Sequence, residues 1–187
     1  FVMLVSCFSM MSFASASGYK PGVNIDGSSF TGEVEVKNNT TFVGIRKFST
    51  AMKWDAKVTY TSYNRTITVK TDKLTLTAKD GASYIVANGR YLFTSTPIYM
   101  KNGRMYAPVM LLAKAFDAKI SWSDYTSSFN IVRGSGGILS GDKFYREDEV
   151  YWLSKIISAE ARGEIMTGKV AVGNVILNRV RSSAFPN

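Results

Sequence analysis

Histidine is absent from the 187 residues, and cysteine occurs once, at Cys7. The first absence excludes Ser-His-Asp and Cys-His catalysis and imidazole metal sites within this chain. The second excludes an intramolecular disulfide. No metal or cofactor is therefore expected, and a carboxylate mechanism is the catalytic option left open. Acid is the scarcer charge, with 14 Asp and Glu against 23 Lys and Arg, for a net charge of +9. A basic surface attracts polyanions. Nucleic acid is not expected, because neither a recognition fingerprint nor a dense basic helix is present. An anionic bacterial wall polymer is the candidate partner, and a merely soluble basic surface is the alternative. Hydrophobic residues make up 45% and charged residues 20%, an ordinary globular balance with apolar matter for one or two small cores.

The longest apolar run is Phe1 to Phe13, followed by the small-x-small pattern Ala14-Ser15-Ala16 and then polar Ser17 and Lys20. It is too short for a bilayer span, which needs about 20 apolar residues. It reads as the core and cleavage site of a secretory signal peptide, residues 1–16, with its basic start missing. A stable membrane span is not expected. Leu4-Val5-Ser6-Cys7 offers a rival reading as a lipoprotein box with Cys7 lipidated, but the apolar run continues past Cys7. Either reading exports the mature chain.

Two segments repeat. Lys37-Asn38-Asn39 to Ile45 aligns with Lys101-Asn102-Gly103 to Val109 at an offset of 64, and Asp55-Ala56-Lys57 aligns with Asp117-Ala118-Lys119 at an offset of 62. Self-similarity of this kind marks a duplicated unit. Each copy reads as a hairpin turn, a strand entering a short helix, and two strands of alternating pattern. In the second copy, Val109, Leu112, Ala113 and Phe116 carry the helical spacing. The pairs Val58/Tyr60, Ile67/Val69, Ile120/Trp122 and Phe129/Ile131 read as strands with one buried face. Tyr60, Tyr63, Tyr91, Tyr99, Trp122 and Tyr125 fit either a sugar-stacking platform or core packing, and core is the commoner fate of such aromatics. This pattern, over about residues 30–133, resembles the duplicated copper amine oxidase N-terminal-like domain. It departs where Gly44-Ile45-Arg46 and Val109-Met110 replace the usual Pro-Leu-Arg. The resemblance implies a wall-binding or spacing module, or a scaffold without a ligand of its own. Despite the family's name, copper has no ligands here.

Residues 134–143 are Gly-rich and read as a flexible linker. Beyond them the period changes to helical. Val150, Leu153, Ile156, Ile157 and Ala161 predict a helix over 147–162, with Gly163 as its stop and Thr167 capping a second helix. Val150, Leu153, Ile157, Glu160 and Glu164 fall on one stripe. A carboxylate on that stripe, at a helix C-terminus, is expected to be desolvated and to hold its proton. The alternative is a surface Glu160 paired with Lys155 or Arg162.

The words Glu160-Ala161-Arg162-Gly163-Glu164, Gly168-Lys169-Val170-Ala171-Val172 and Asn178-Arg179-Val180 resemble the opening of the SleB-type cell-wall hydrolases, the spore cortex-lytic enzyme family. Ile165 departs from the family's proline. The resemblance implies an all-α, lysozyme-like domain that cuts peptidoglycan glycan strands. In it Glu160 would be the catalytic acid of a lytic transglycosylase, Glu164 a supporting carboxylate, and Asn178 and Arg179 braces of the fold. The expectation is thus α+β: a duplicated strand-helix-strand-strand domain at 17–133, a linker at 134–143, and a partial hydrolase domain at 144–187. The expected protein is secreted, wall-associated and, as a fragment, inactive alone. The competing expectation is a wall-binding or scaffold protein without catalysis.

Overall fold

The computed structural model describes residues 20–185, so the expected signal segment and Cys7 lie outside the described residues. The chain forms β1 (Gly22–Ile25), β2 (Ser28–Ser29), β3 (Val34–Lys37), β4 (Thr40–Gly44), α1 (Ile45–Met52), β5 (Lys57–Thr61) and β6 (Thr66–Lys70). Then come β7 (Thr75–Lys79), β8 (Tyr84–Ala87) and β9 (Arg90–Phe93). The second copy follows as β10 (Tyr99–Lys101), β11 (Arg104–Pro108), α2 (Val109–Ala115), β12 (Lys119–Ser123) and β13 (Ser128–Val132). The chain continues with α3 (Gly141–Phe144), α4 (Glu147–Glu160) and α5 (Met166–Arg181). The architecture is α+β, strands first and helices last, as the sequence implied.

The repeated turns have the expected chemistry. Asn38 and Asn39 sit at φ 49° and 57°, and Asn102 and Gly103 at 50° and 71°. Left-handed conformation at both central positions is what a type I′ hairpin needs, and Asn and Gly tolerate it at least cost. These turns set the registers of β3 on β4 and of β10 on β11. The two copies then meet through β4 and β11, antiparallel, with Val43 opposite Ala107. Those two residues are repeat equivalents, so an approximate two-fold axis passes between them. Tyr106 opposite Gly44 and Phe42 opposite Pro108 are the mates that this axis relates. The same axis brings the equivalents Glu35 and Tyr99 together, with the Tyr99 hydroxyl donating to Glu35 Oε2 at 3.0 Å. Burial, then this bond, pushes the Tyr99 hydroxyl upward.

Three sheets result, in the orders β12-β13-β1-β2, β10-β11-β4-β3 and β5-β6-β7-β8-β9. They share one core that includes Val43, Phe48, Leu76, Ile85, Leu112 and Ile131. Phe48 and Phe116 meet edge to face at 6.1 Å within it. Val109, Leu112, Ala113 and Phe116 are all buried, as the helical spacing predicts. In β8 the buried side is Ile85 and Ala87, so Tyr84 and Val86 face outward.

β1, from before the first copy, pairs in parallel with β13 at the end of the second. Arg133 locks this closure. Its amide donates to Asp26 Oδ1 at 3.0 Å and its guanidinium pairs with the same carboxylate. The guanidinium also donates to the carbonyls of Met52 and Ala51 at the end of α1, at 2.9 and 2.5 Å. A cation there suits the helix dipole and satisfies orphan carbonyls.

The Gly-rich stretch corrects the expectation of a flexible linker. The Ile138 amide donates to the Ala115 carbonyl at 3.1 Å, and its side chain is buried. Asn88 Nδ2 donates to the Lys73 and Ile138 carbonyls, both at 2.8 Å, and the Gly141 amide donates to the Asn88 carbonyl at 2.8 Å. A side chain at Gly134 would run into the Asp117 carbonyl. Glycine serves here for close approach, so the composition of a mobile linker belongs to a strap packed on the β domain.

The Arg133 amide, ahead of its guanidinium, holds the Asp26 carboxyl below its usual range against the opposing effect of desolvation. A depressed carboxylate adds stability above its unfolded pKa that is lost as pH falls through the folded one. Asp26→Asn should therefore flatten the acid limb of a stability-pH profile below about pH 4. Arg133→Ala should cost about 2 kcal/mol in denaturant unfolding at neutral pH, chiefly through its bonds to the α1 carbonyls.

Candidate functional site

α4 opens with Glu147, Asp148 and Glu149 in its first turn, where acids suit the N-terminal dipole. Arg146 pairs with Asp148 and holds that carboxyl below its usual range. The helix ends at Glu160, and its Ala161 C-cap amide bonds back to the Ile157 carbonyl at 2.9 Å. It thus stops before Gly163, and the expected glycine stop is corrected. Gly163 is not among the residues with positive φ. α5 starts at Met166 with Ile165 as N-cap, so Thr167 lies inside the first turn and caps nothing.

The two helices touch along one seam. Ala161 and Gly173 are its buried residues. A Cβ on Gly173 would stand 3.0 Å from Ile157 Cδ1, so glycine lets α5 approach α4 closely. Beside the seam runs an open groove lined by Ile157, Ser158, Arg162, Met166, Lys169 and Asn174, among others.

Glu160 is exposed, which corrects the expected desolvation. The alternative ion pair with Lys155 or Arg162 is also absent among the described residues. The reason is packing. Among the described residues, the stripe carrying Val150, Leu153, Ile157 and Glu160 packs chiefly on α5, and only its Leu153 and Ile157 are even half-buried. Glu164 is exposed as well, and its amide donates to the Ala161 carbonyl at 3.1 Å. Its carboxylate end lies against Gly168, where an added Cβ would meet Oε2 at 3.0 Å. That placement at the start of α5 suits an acid. Of the expected braces, Arg179 lies over the Phe185 ring at 5.5 Å, while Asn178 is exposed.

The aromatic set departs from its expected core fate. Tyr63 and Tyr125, equivalent positions at the two hairpin tips, are 98% and 99% exposed. Tyr60, Tyr91 and Trp122 are also exposed, and Tyr99 is half-buried. Tyr91 belongs to a surface group with Tyr84 and Phe93, the Tyr91 and Phe93 rings lying 24° from parallel at 6.4 Å. Period-two reading of β8 and β9 would have placed these rings on one face. Phe93 completes this group, two residues from Tyr91 on the same side of β9. Among the described residues, no cluster of three or more Asp, Glu, Cys or His could hold a metal ion. Among them too, no helix is long and apolar enough to cross a membrane.

The model of the copper amine oxidase N-terminal domain matches residues 23–131, more than half of the chain. The chain belongs to that family. It is also similar to two Bacillus cereus proteins named spore cortex-lytic enzyme, at 44% identity over 43 residues in each case. The match covers 23% of this chain and 17% of either relative, so the chain spans a minor part of their length.

Gly173→Val should force α4 and α5 apart at a cost of about 1–3 kcal/mol. Circular dichroism should show reduced helix content while the β-domain transition is unchanged.

Proposed function

We propose that this chain is part of a secreted, wall-associated peptidoglycan hydrolase that cuts glycan strands as a lytic transglycosylase. The observation that carries the reading is the 44% identity over 43 residues to proteins named spore cortex-lytic enzyme. Glu160 is the proposed acid. Its carboxylic acid protonates the glycosidic oxygen as the C1–O bond breaks. The resulting carboxylate then takes the proton of the muramic C6 hydroxyl as that oxygen closes on C1. The product is a 1,6-anhydro ring, no water is consumed, and the acid is restored. A single carboxylate suffices because the sugar supplies its own nucleophile.

The exposure of Glu160 adds a requirement. The reaction needs a site from which water is excluded, so bound glycan must cover this face for Glu160 to act. Glu164, kept at the start of α5, is the proposed supporting carboxylate. The exposed rings of the β domain favour a second reading, a wall-binding or scaffold protein without catalysis.

Muropeptide analysis after digestion of peptidoglycan by the full-length gene product separates these readings. Anhydro-muramic products that disappear in Glu160→Gln are expected. Free reducing ends would mean ordinary hydrolysis, cleaved stem peptides an amidase, and no products the scaffold reading.

A further inference from the structure

We propose that the outward face of the β5–β9 sheet is a docking surface for peptidoglycan, with its sugars on the rings and its stem-peptide carboxylates near the lysines. The inference rests on the wall-directed reading above but not on catalysis by Glu160. Ile67, Val69, Leu76, Ala78, Ile85 and Ala87 fill the inward side of this sheet. The alternate residues must then point away from the core. Register aligns them into rows. Thr59 stands opposite Thr68, Thr68 opposite Thr77, Thr77 opposite Val86, and Val86 opposite Tyr91. At about 4.8 Å per strand this row is about 19 Å long. It begins on hydroxyls and ends on an aromatic ring.

Three properties of the face fit one occupant. The first is the ring group at its β8–β9 end, where Tyr91 and Phe93 are exposed and Tyr84 packs against both. Flat rings held in the surface suit the C–H faces of pyranose sugars. The second is free hydrogen-bonding capacity. The side-chain hydroxyls of Thr59, Thr61, Thr68, Thr75 and Thr77 bond to no described residue, whereas Thr66 donates to the Asn64 carbonyl. A glycan presents hydroxyls and amides that can meet them. The third is charge. Lys57 stands directly opposite Lys70, and Lys79 opposite Thr66. None of these lysines makes an ion pair with a described residue.

Strands β5 to β9 contain no Asp or Glu. Like charges opposed across a ladder are destabilising. The chain nevertheless keeps such a pair where a carboxylate-bearing ligand would relieve it. Dispersed lysines interleaved with hydroxyls suit weakly charged peptidoglycan better than the dense charge of nucleic acid.

Co-sedimentation of the whole chain with insoluble peptidoglycan, stripped of secondary polymers, tests the proposal. Binding is expected. Tyr91→Ala with Phe93→Ala should weaken it roughly tenfold. Lys57→Gln with Lys70→Gln should weaken it and reduce its salt dependence. The lysine variant should also keep or raise the thermal midpoint, which distinguishes lost contact from lost fold. Glu160→Gln should bind as the parent does, so a catalytic failure and a docking failure read out separately. Absence of binding would overturn the proposal. So would binding untouched by both face variants, binding only to walls that carry teichoic acid, or a preference for single-stranded nucleic acid.

Discussion

The β4–β11 pairing is the contact on which the rest of the structure depends. A single copy of the repeat has a hairpin, a short helix and two strands, too little to enclose an apolar face. Pairing at the axis places Val43 against Ala107, both fully buried, so one branched side chain meets one small one where the copies are closest. Overpacking at so close an approach is costly, and the small Ala107 leaves room for Val43. With this register set, α1 and α2 lie over the shared core, and each copy's final hairpin is directed to its partner strands.

Those partner strands come from outside the copy they complete. β7, which precedes the second copy, extends the hairpin of the first, and β1, which precedes the first, extends the hairpin of the second. The exchange makes the duplicated domain one folding unit rather than two beads. It also explains the concentration of specific polar contacts at Arg133. Parallel pairing of chain-distant segments lacks a tight turn to fix its register. The Asp26 carboxylate and the α1 carbonyls supply that fixation instead.

Much of this was legible in the sequence because it is local. Asn-Asn and Asn-Gly specify left-handed turns, and Val109, Leu112, Ala113 and Phe116 have helical spacing with a single apolar side. The duplication itself was visible in Lys-Asn and Asp-Ala-Lys. Parallel closure by β1 was not, because Gly22–Ile25 is too short to carry a pattern and its partner lies more than a hundred residues away. The glycines at 134–143 misled for a related reason. Composition does not distinguish a glycine that frees the backbone from one that lets two backbones touch. The aromatics misled because Tyr and Trp favour strands on either face, and three of the named rings lie at turns or on outward positions.

Glu160 shows the same limit at the candidate site. Hydrophobic spacing states which side of a helix can be buried, but burial needs a second surface. In the β domain that surface exists several times over, since three sheets and two helices close around one core. The α4–α5 pair provides one seam, centred on Gly173 and Ala161, and leaves Val150, Trp152, Ile165 and Met166 exposed around it. A carboxylate at the edge of one seam stays in water, whatever stripe it shares. Burial of Glu160 therefore depends on a second surface over this face and not on the helix alone.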